Sequence, residues 1–202
     1  MSSYNNYQLE IQKRKEFGLS PKPIESSEIL NEIIEDIKRN GSNTREESLN
    51  HLIFNTLPGT TPAAKVKAEF LKDIILNLEN IEEISIDFAF ELLSHMKGGA
   101  SVRVLLDIAF SNNQILAKKA SQVLKTQVFL YDEDTNRLKI EYLKGNKIAK
   151  DILVSYCKAE FFTRLPELPK KIDVVTYVVG HADISTELLS TVKQHNTRSD
   201  RK

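Results

Sequence analysis

Eight clusters or single residues in this chain have side chains capable of chemistry. Asp132-Glu133-Asp134 is a run of carboxylates that could recruit a hard cation. It lacks the ligand spacing and the glycine of an EF-hand loop, so a solvated acidic turn is the expected reading. His51, His95, His181 and His195 stand singly, and no pair has the i, i+4 or short-loop spacing that brings imidazoles onto one metal. Cys157 is the only cysteine. It sits in an apolar helical pattern, where a thiol is expected to pack as a small hydrophobe rather than react. Two lysine stripes, Lys118, Lys119, Lys125 and Lys144, Lys147, Lys150, could face a polyanion, though helix charge runs are ordinarily the solvated face. The phosphate-binding GxxxxGK[ST], the dinucleotide GxGxxG, the zinc HExxH and the nucleophile GxSxG are all missing from the sequence.

The elements that must carry these residues are helices. Through residue 163 the apolar positions recur at spacings of three and four, cut by Gly, Pro and Asn. The pattern predicts about nine short helices: Tyr4 to Phe17; from Ser26 or Ser27 to the Asn40-Gly41 cap; from a Thr44-Arg45-Glu46-Glu47 capping box to near Asn55; Ala63 to Leu78; Ser85 to Met96; a mostly apolar and hence central Ser101 to Phe110; Asn113 to Leu130; Asn136 to Leu143; and Ile148 to Thr163. Helix pairs recurring every 35–45 residues or so suit a HEAT-like or armadillo-like stack, and a compact irregular helical bundle would give the same pattern. Expected domains are therefore 1–163, a helical array; 164–170, a linker stiffened by Pro166 and Pro169; and 171–202, where Ile172 to Val179 reads as a lone β segment of a truncated second domain.

Charge and composition narrow the function classes. Over 202 residues, 28 Lys plus Arg balance 28 Asp plus Glu. That removes the basic excess expected of a general DNA or anionic-membrane binder. No apolar run approaches the ~20 residues of a bilayer span, and the polar first ten residues are unlike a signal peptide. A cytoplasmic protein is expected, since one cysteine can form neither an internal disulfide nor a thiolate cluster site.

Three stretches add a resemblance. Glu16-Phe17-Gly18-Leu19-Ser20-Pro21-Lys22-Pro23-Ile24, then Glu91-Leu92-Leu93-Ser94-His95-Met96-Lys97-Gly98-Gly99, then Ala159-Glu160-Phe161-Phe162 leading through Val174–Gly180 to Asp183–Ser190 resemble, in order, the N-terminal part of the bacterial aconitase B family, also called aconitate hydratase 2 and including 2-methylisocitrate dehydratases. The resemblance implies a HEAT-like domain followed by the start of a swivelling domain. It also implies a parent activity that interconverts citrate and isocitrate through a [4Fe–4S] cluster, whose three cysteines lie in a C-terminal region not matched here. This chain is thus expected to hold no cofactor and to be inert alone. The family's Ser-Arg-Ser-Asp-like segment, whose arginine binds a substrate carboxylate, is matched by Thr197-Arg198-Ser199-Asp200, which makes Arg198 the implied substrate-binding residue. Just upstream, Ser190-Thr191-Val192 departs from the family's Leu-Ser-Pro. Three roles follow from the resemblance: a non-catalytic module that binds protein, itself or a full-length aconitase B; a fragment of an aconitate hydratase; or a regulator that binds RNA.

Overall fold

Ser26 caps the helix whose stripe is the clearest in the chain. In the computed structural model, which describes residues 2–39, 41–129 and 131–158, the Ser26 hydroxyl accepts from the backbone N–H groups of Glu28 and Ile29. Residues Ser27–Lys38 then wind into a helix that buries Leu30, Ile33, Ile34 and Ile37. The i, i+3, i+4, i+7 spacing puts all four on one face. At roughly 2 kcal/mol for each fully buried aliphatic side chain, this one stripe supplies a gross stabilisation of about 8 kcal/mol, opposed by the entropy of ordering the helix.

The described residues hold nine α-helices: α1 Ser3–Glu16, α2 Ser27–Lys38, α3 Arg45–Asn50, α4 Pro62–Ile75, α5 Ile86–His95, α6 Ala100–Ala109, α7 Gln114–Leu124, α8 Asp132–Leu143 and α9 Lys147–Cys157. A π-helical turn, His51–Asn55, continues α3. There is no strand among the described residues, only the isolated parallel bridges Ile24–Thr56 and Gly98–Val128. This is the expected all-α array. The stretches expected to form the linker 164–170 and the β segment in 171–202 lie outside the described residues.

The chain divides into two compact units between Met96 and Lys97. In the first, α2 packs against α1, α3 and α4, and α4 packs against α5. In the second, α6 packs on α7 and α8, and α9 packs on α7 and α8. Eight of the ten residues of α6 are buried, as its nearly continuous apolar run predicts for a central helix.

Several details differ from the pattern reading, each for a physical reason. The Thr44 capping box does not form. Thr44 has φ −101° and ψ 2°, outside the extended geometry that an N-cap needs, and makes no cap bond; its hydroxyl donates to Asp36 Oδ2 at 2.8 Å instead. The fourth helix stops at Ile75 because Asn77 turns left-handed at φ 57°, leaving Leu78 71% exposed. α7 ends at Leu124 rather than Leu130. α8 begins four residues early, so Asp132-Glu133-Asp134 is its first turn, where carboxylates complement the helix dipole. The acidic run is thus helical rather than a loop turn, with Asp132 and Glu133 exposed as expected and Asp134 buried.

Candidate functional site

A chain of hydrogen bonds runs through the first unit from α2 to the π-helical turn. Asp36 of α2 accepts from the hydroxyls of Ser42 (2.7 Å), Ser48 (2.7 Å) and Thr44 (2.8 Å). Burial by itself would push Asp36 up, but these three donors together hold it below the usual aspartate range. The Tyr4 hydroxyl lies 3.0 Å from Ser48 Oγ and 3.1 Å from His51 Nδ1. Ser48 has spent its single proton on Asp36. The order that uses every contact is therefore His51 Nδ1–H to Tyr4, Tyr4 to Ser48, and Ser48 to Asp36. Tyr4 and Tyr7 meet the His51 ring edge-on, with centroids 5.9 and 5.6 Å away. Burial pushes His51 below the usual histidine range, so the ring is neutral at pH 7.

This set contains Asp, Ser and His but is not a nucleophile triad. Ser48 donates to the carboxylate, not to the imidazole, and Ser48, Tyr4 and His51 are all buried, which leaves no path for a substrate. Its work is structural. It fastens α1 by tyrosines, whereas Leu9 of α1 and Phe17 just past its end, two apolar residues the helical pattern picks out, are 43% and 78% exposed. The Pro21–Ile24 segment is tied down beside it. Lys22 C=O accepts from the Tyr7 hydroxyl at 2.7 Å and from Asn55 Nδ2 at 3.1 Å, Asn55 Nδ2 also donates to the Tyr7 hydroxyl, and Ile24 N–H donates to Asn55 C=O at 2.7 Å.

A second feature of this unit is a groove of about 360 Å³ bounded by the π-helical turn, α4 and α5. Lys67 of α4 lines it, 5% exposed, and donates from Nζ to Ile53 C=O at 3.0 Å. Burial pushes this amine down to about 8. Lys67 is not among the residues that sequence motifs single out. The available signal is its register: Ala63, Ala64, Lys67, Ala68 and Leu71 share one face and are all buried, so a lysine occupies a core position. A larger groove of about 550 Å³ between α2 and α4 carries charges of both signs, including Glu35, Lys38 and Asp73.

In the second unit, Arg103 of α6 donates to Glu133 Oε2 at 2.8 Å. Its Nε lies 3.6 Å from Asp134 Oδ1. Asp134 Oδ2 has no hydrogen-bond partner, and burial raises its carboxyl above the usual range, with Arg103 opposing. Cys157 is fully buried, as expected of a small hydrophobe, and burial pushes its thiol up to about 11. Lys125 pairs with Asp151 and Lys144 with Glu141, which neutralises part of each lysine stripe. His95 is exposed beside Glu91. Arg198, His181 and His195 lie outside the described residues.

The iron–sulfur cluster that the resemblance implies does not fit these residues. The sequence has one cysteine, held as a buried neutral thiol, whereas a cluster takes several thiolates. Among the described residues no three His, Cys, Asp or Glu side chains are grouped to hold a metal ion. No described helix is long and apolar enough to cross a membrane.

Comparison with known proteins decides the lineage. The profile of the aconitate B N-terminal domain matches residues 6–162. The chain belongs to the aconitate B N-terminal domain family. Aconitate hydratase B of Pseudomonas aeruginosa is 29% identical over 198 residues. The namesakes from Helicobacter pylori and Escherichia coli are each 28% identical over 195 residues. Each alignment covers 96% of this chain and 22% of the relative, so the chain spans about a fifth of the length of the relatives it matches.

Within this aconitate B N-terminal domain, the Lys97-Gly98-Gly99 turn is among the most constrained stretches of backbone. All three residues have positive φ, with Gly98 at 133°. Lys97 C=O accepts from Val128 N–H at 3.2 Å, and Gly98 C=O accepts from the Ser101 hydroxyl at 3.0 Å. A Cβ on Gly98 would stand 2.4 Å from Val128 O. The glycines thus let α6 start where the segment after α7 passes close against it.

Proposed function

We propose that this chain is a non-catalytic module of an aconitase-B-like protein, acting by protein contact, self-association included. The observation that carries this reading is the cysteine inventory: Cys157 alone, fully buried and with a thiol pushed up to about 11. A residue of that kind cannot bind iron without unfolding its surroundings. The family's cluster chemistry must then come from elsewhere. An apolar surface supports the contact role. Phe17 is 78% exposed and Leu19 52%, immediately after α1, and Leu9 within α1 is 43% exposed. A HEAT-like stack would present such a surface to a partner, and reducing cytoplasm suits an unpaired thiol.

The names of the relatives favour a second reading, that the chain works as the N-terminal part of an aconitate hydratase. On that reading it shapes or docks onto the catalytic portion and still contributes no cluster ligand.

The experiment is reconstitution of the purified chain with ferrous iron and sulfide under reducing conditions. No cluster absorbance and no citrate–isocitrate turnover are expected, and a thiol reagent should label Cys157 only after denaturation. A bound cluster with measurable turnover would overturn the proposal.

A further inference from the structure

Lys67 presents an energetic problem that the fold does not solve internally. Its ammonium has three N–H donors, and one of them meets Ile53 C=O. Among the described residues no carboxylate pairs with it, while its side chain is 95% withdrawn from solvent by the groove walls. A buried cation without a counter-ion is strongly disfavoured. Lowering the amine to about 8 relieves only part of that cost, because most of the population is still protonated at pH 7. The walls offer nothing anionic. Phe54, Pro58, Leu92 and Met96 are apolar, and the Thr56 hydroxyl is committed to His51 C=O at 3.2 Å. His95, the other titratable side chain on the groove, is exposed and pairs with Glu91.

The π-helical turn supplies one wall of the groove through Ile53 and Phe54. Its wider winding takes Ile53 and Phe54 out of α-helical register, a distortion that recurs at binding sites. Phe54 is left 80% exposed at the mouth. The groove, about 360 Å³, is near the lower end of the range for small-molecule sites. A single buried positive charge at the base of an apolar groove specifies the complement: one negative charge on a short apolar body.

We propose that the groove between the π-helical turn, α4 and α5 binds a short aliphatic monocarboxylate, with its carboxylate on Lys67 Nζ and its chain against Phe54, Leu92 and Met96. A tricarboxylate is a poor match, since two of its charges would be left against apolar walls.

The test is a titration of the 202-residue chain with sodium hexanoate, followed by amide chemical shifts, with 1-hexanol and citrate as the comparison ligands. Saturable shifts at Phe54, Leu92 and Met96 are expected with hexanoate, and hexanol and citrate should each bind at least about tenfold more weakly, the worth of one charge-assisted hydrogen bond. Lys67→Met should erase the preference of hexanoate over hexanol while leaving the apolar contact. Equal binding of hexanoate and hexanol by the native chain would overturn the proposal. So would unchanged hexanoate affinity in Lys67→Met, or the absence of saturable shifts in the groove. If Lys67→Met does not fold, the ligand comparison on the native chain decides the matter alone.

Discussion

Gly98→Ala is expected to destabilise the second unit by about 3 kcal/mol or more, enough to lower its thermal midpoint by roughly 12 °C or more. Two costs add. At φ 133° an L-residue is strained whatever surrounds it, and the new methyl would sit 2.4 Å from Val128 O, with the carbonyl carbon 3.3 Å away. Backbone cannot swing aside as the tip of a side chain can. Relief requires moving the Gly98–Val128 bridge, and with it the Lys97 C=O bond to Val128 N–H. Gly145→Ala is the internal control. It too has positive φ, 83°, but nothing lies within 4 Å of its Cβ position, so only the left-handed penalty of about 1 kcal/mol applies. Thermal and denaturant unfolding of both variants measures the difference. Equal losses would show that the close approach at Val128 is not rigid.

Asp36→Ala is expected to cost the first unit about 3 kcal/mol. The substitution leaves three hydroxyls without their acceptor, one of them the fully buried Ser48, and breaks the proton order that reaches Tyr4 and His51. The pH dependence has a definite sign. Because Asp36 is held below its ordinary range, its contribution is complete above the unfolded aspartate value near pH 4 and is withdrawn as pH falls through the lower folded value. His51 behaves separately. Burial lowers it, so the unfolded chain takes up that proton first and stability falls as pH drops below about 6.5. The stability gap between native and Asp36→Ala proteins should therefore stay constant from pH 7 to pH 5 and narrow below about pH 4. Urea titrations at stepped pH test this, and a gap that is insensitive to acid would contradict it.

Both effects arise at places where sequence pattern and packing part company. Helix positions were legible because caps and stripes coincide. Ser26, Ser85 and Asn113 each accept a backbone N–H at the helix start expected of them, and Thr61 and Asn146 cap the helices expected from Ala63 and Ile148. The glycine pair at residues 98 and 99 was legible as a turn, but its contact with Val128, thirty residues on, was not. Long-range hydrogen bonding was equally hidden. Nothing local distinguishes Asp36 from the exposed carboxylates of α2, and the Thr44 motif pointed to a cap where the hydroxyl serves Asp36. Aliphatic periodicity also undervalued tyrosine. Tyr4 and Tyr7 anchor α1 because a ring can be buried while its hydroxyl is satisfied, and Leu9 beside them is exposed. Lys67 is the instructive omission, since its charge hid a core register that the neighbouring alanines declare. Arg198, taken from family resemblance, falls outside the described residues and gains no structural support.

The function proposed for this member of the aconitate B N-terminal domain family is binding of protein rather than catalysis. Sedimentation velocity tests it most directly, using the 202-residue chain from about 1 to 100 µM, alone and with a full-length aconitate hydratase B. Expected is either a sedimentation coefficient that rises with concentration or co-sedimentation with the larger protein, with Phe17→Glu weakening the association while leaving the fold intact. A chain that sediments as a monomer throughout and never travels with the larger protein would contradict it.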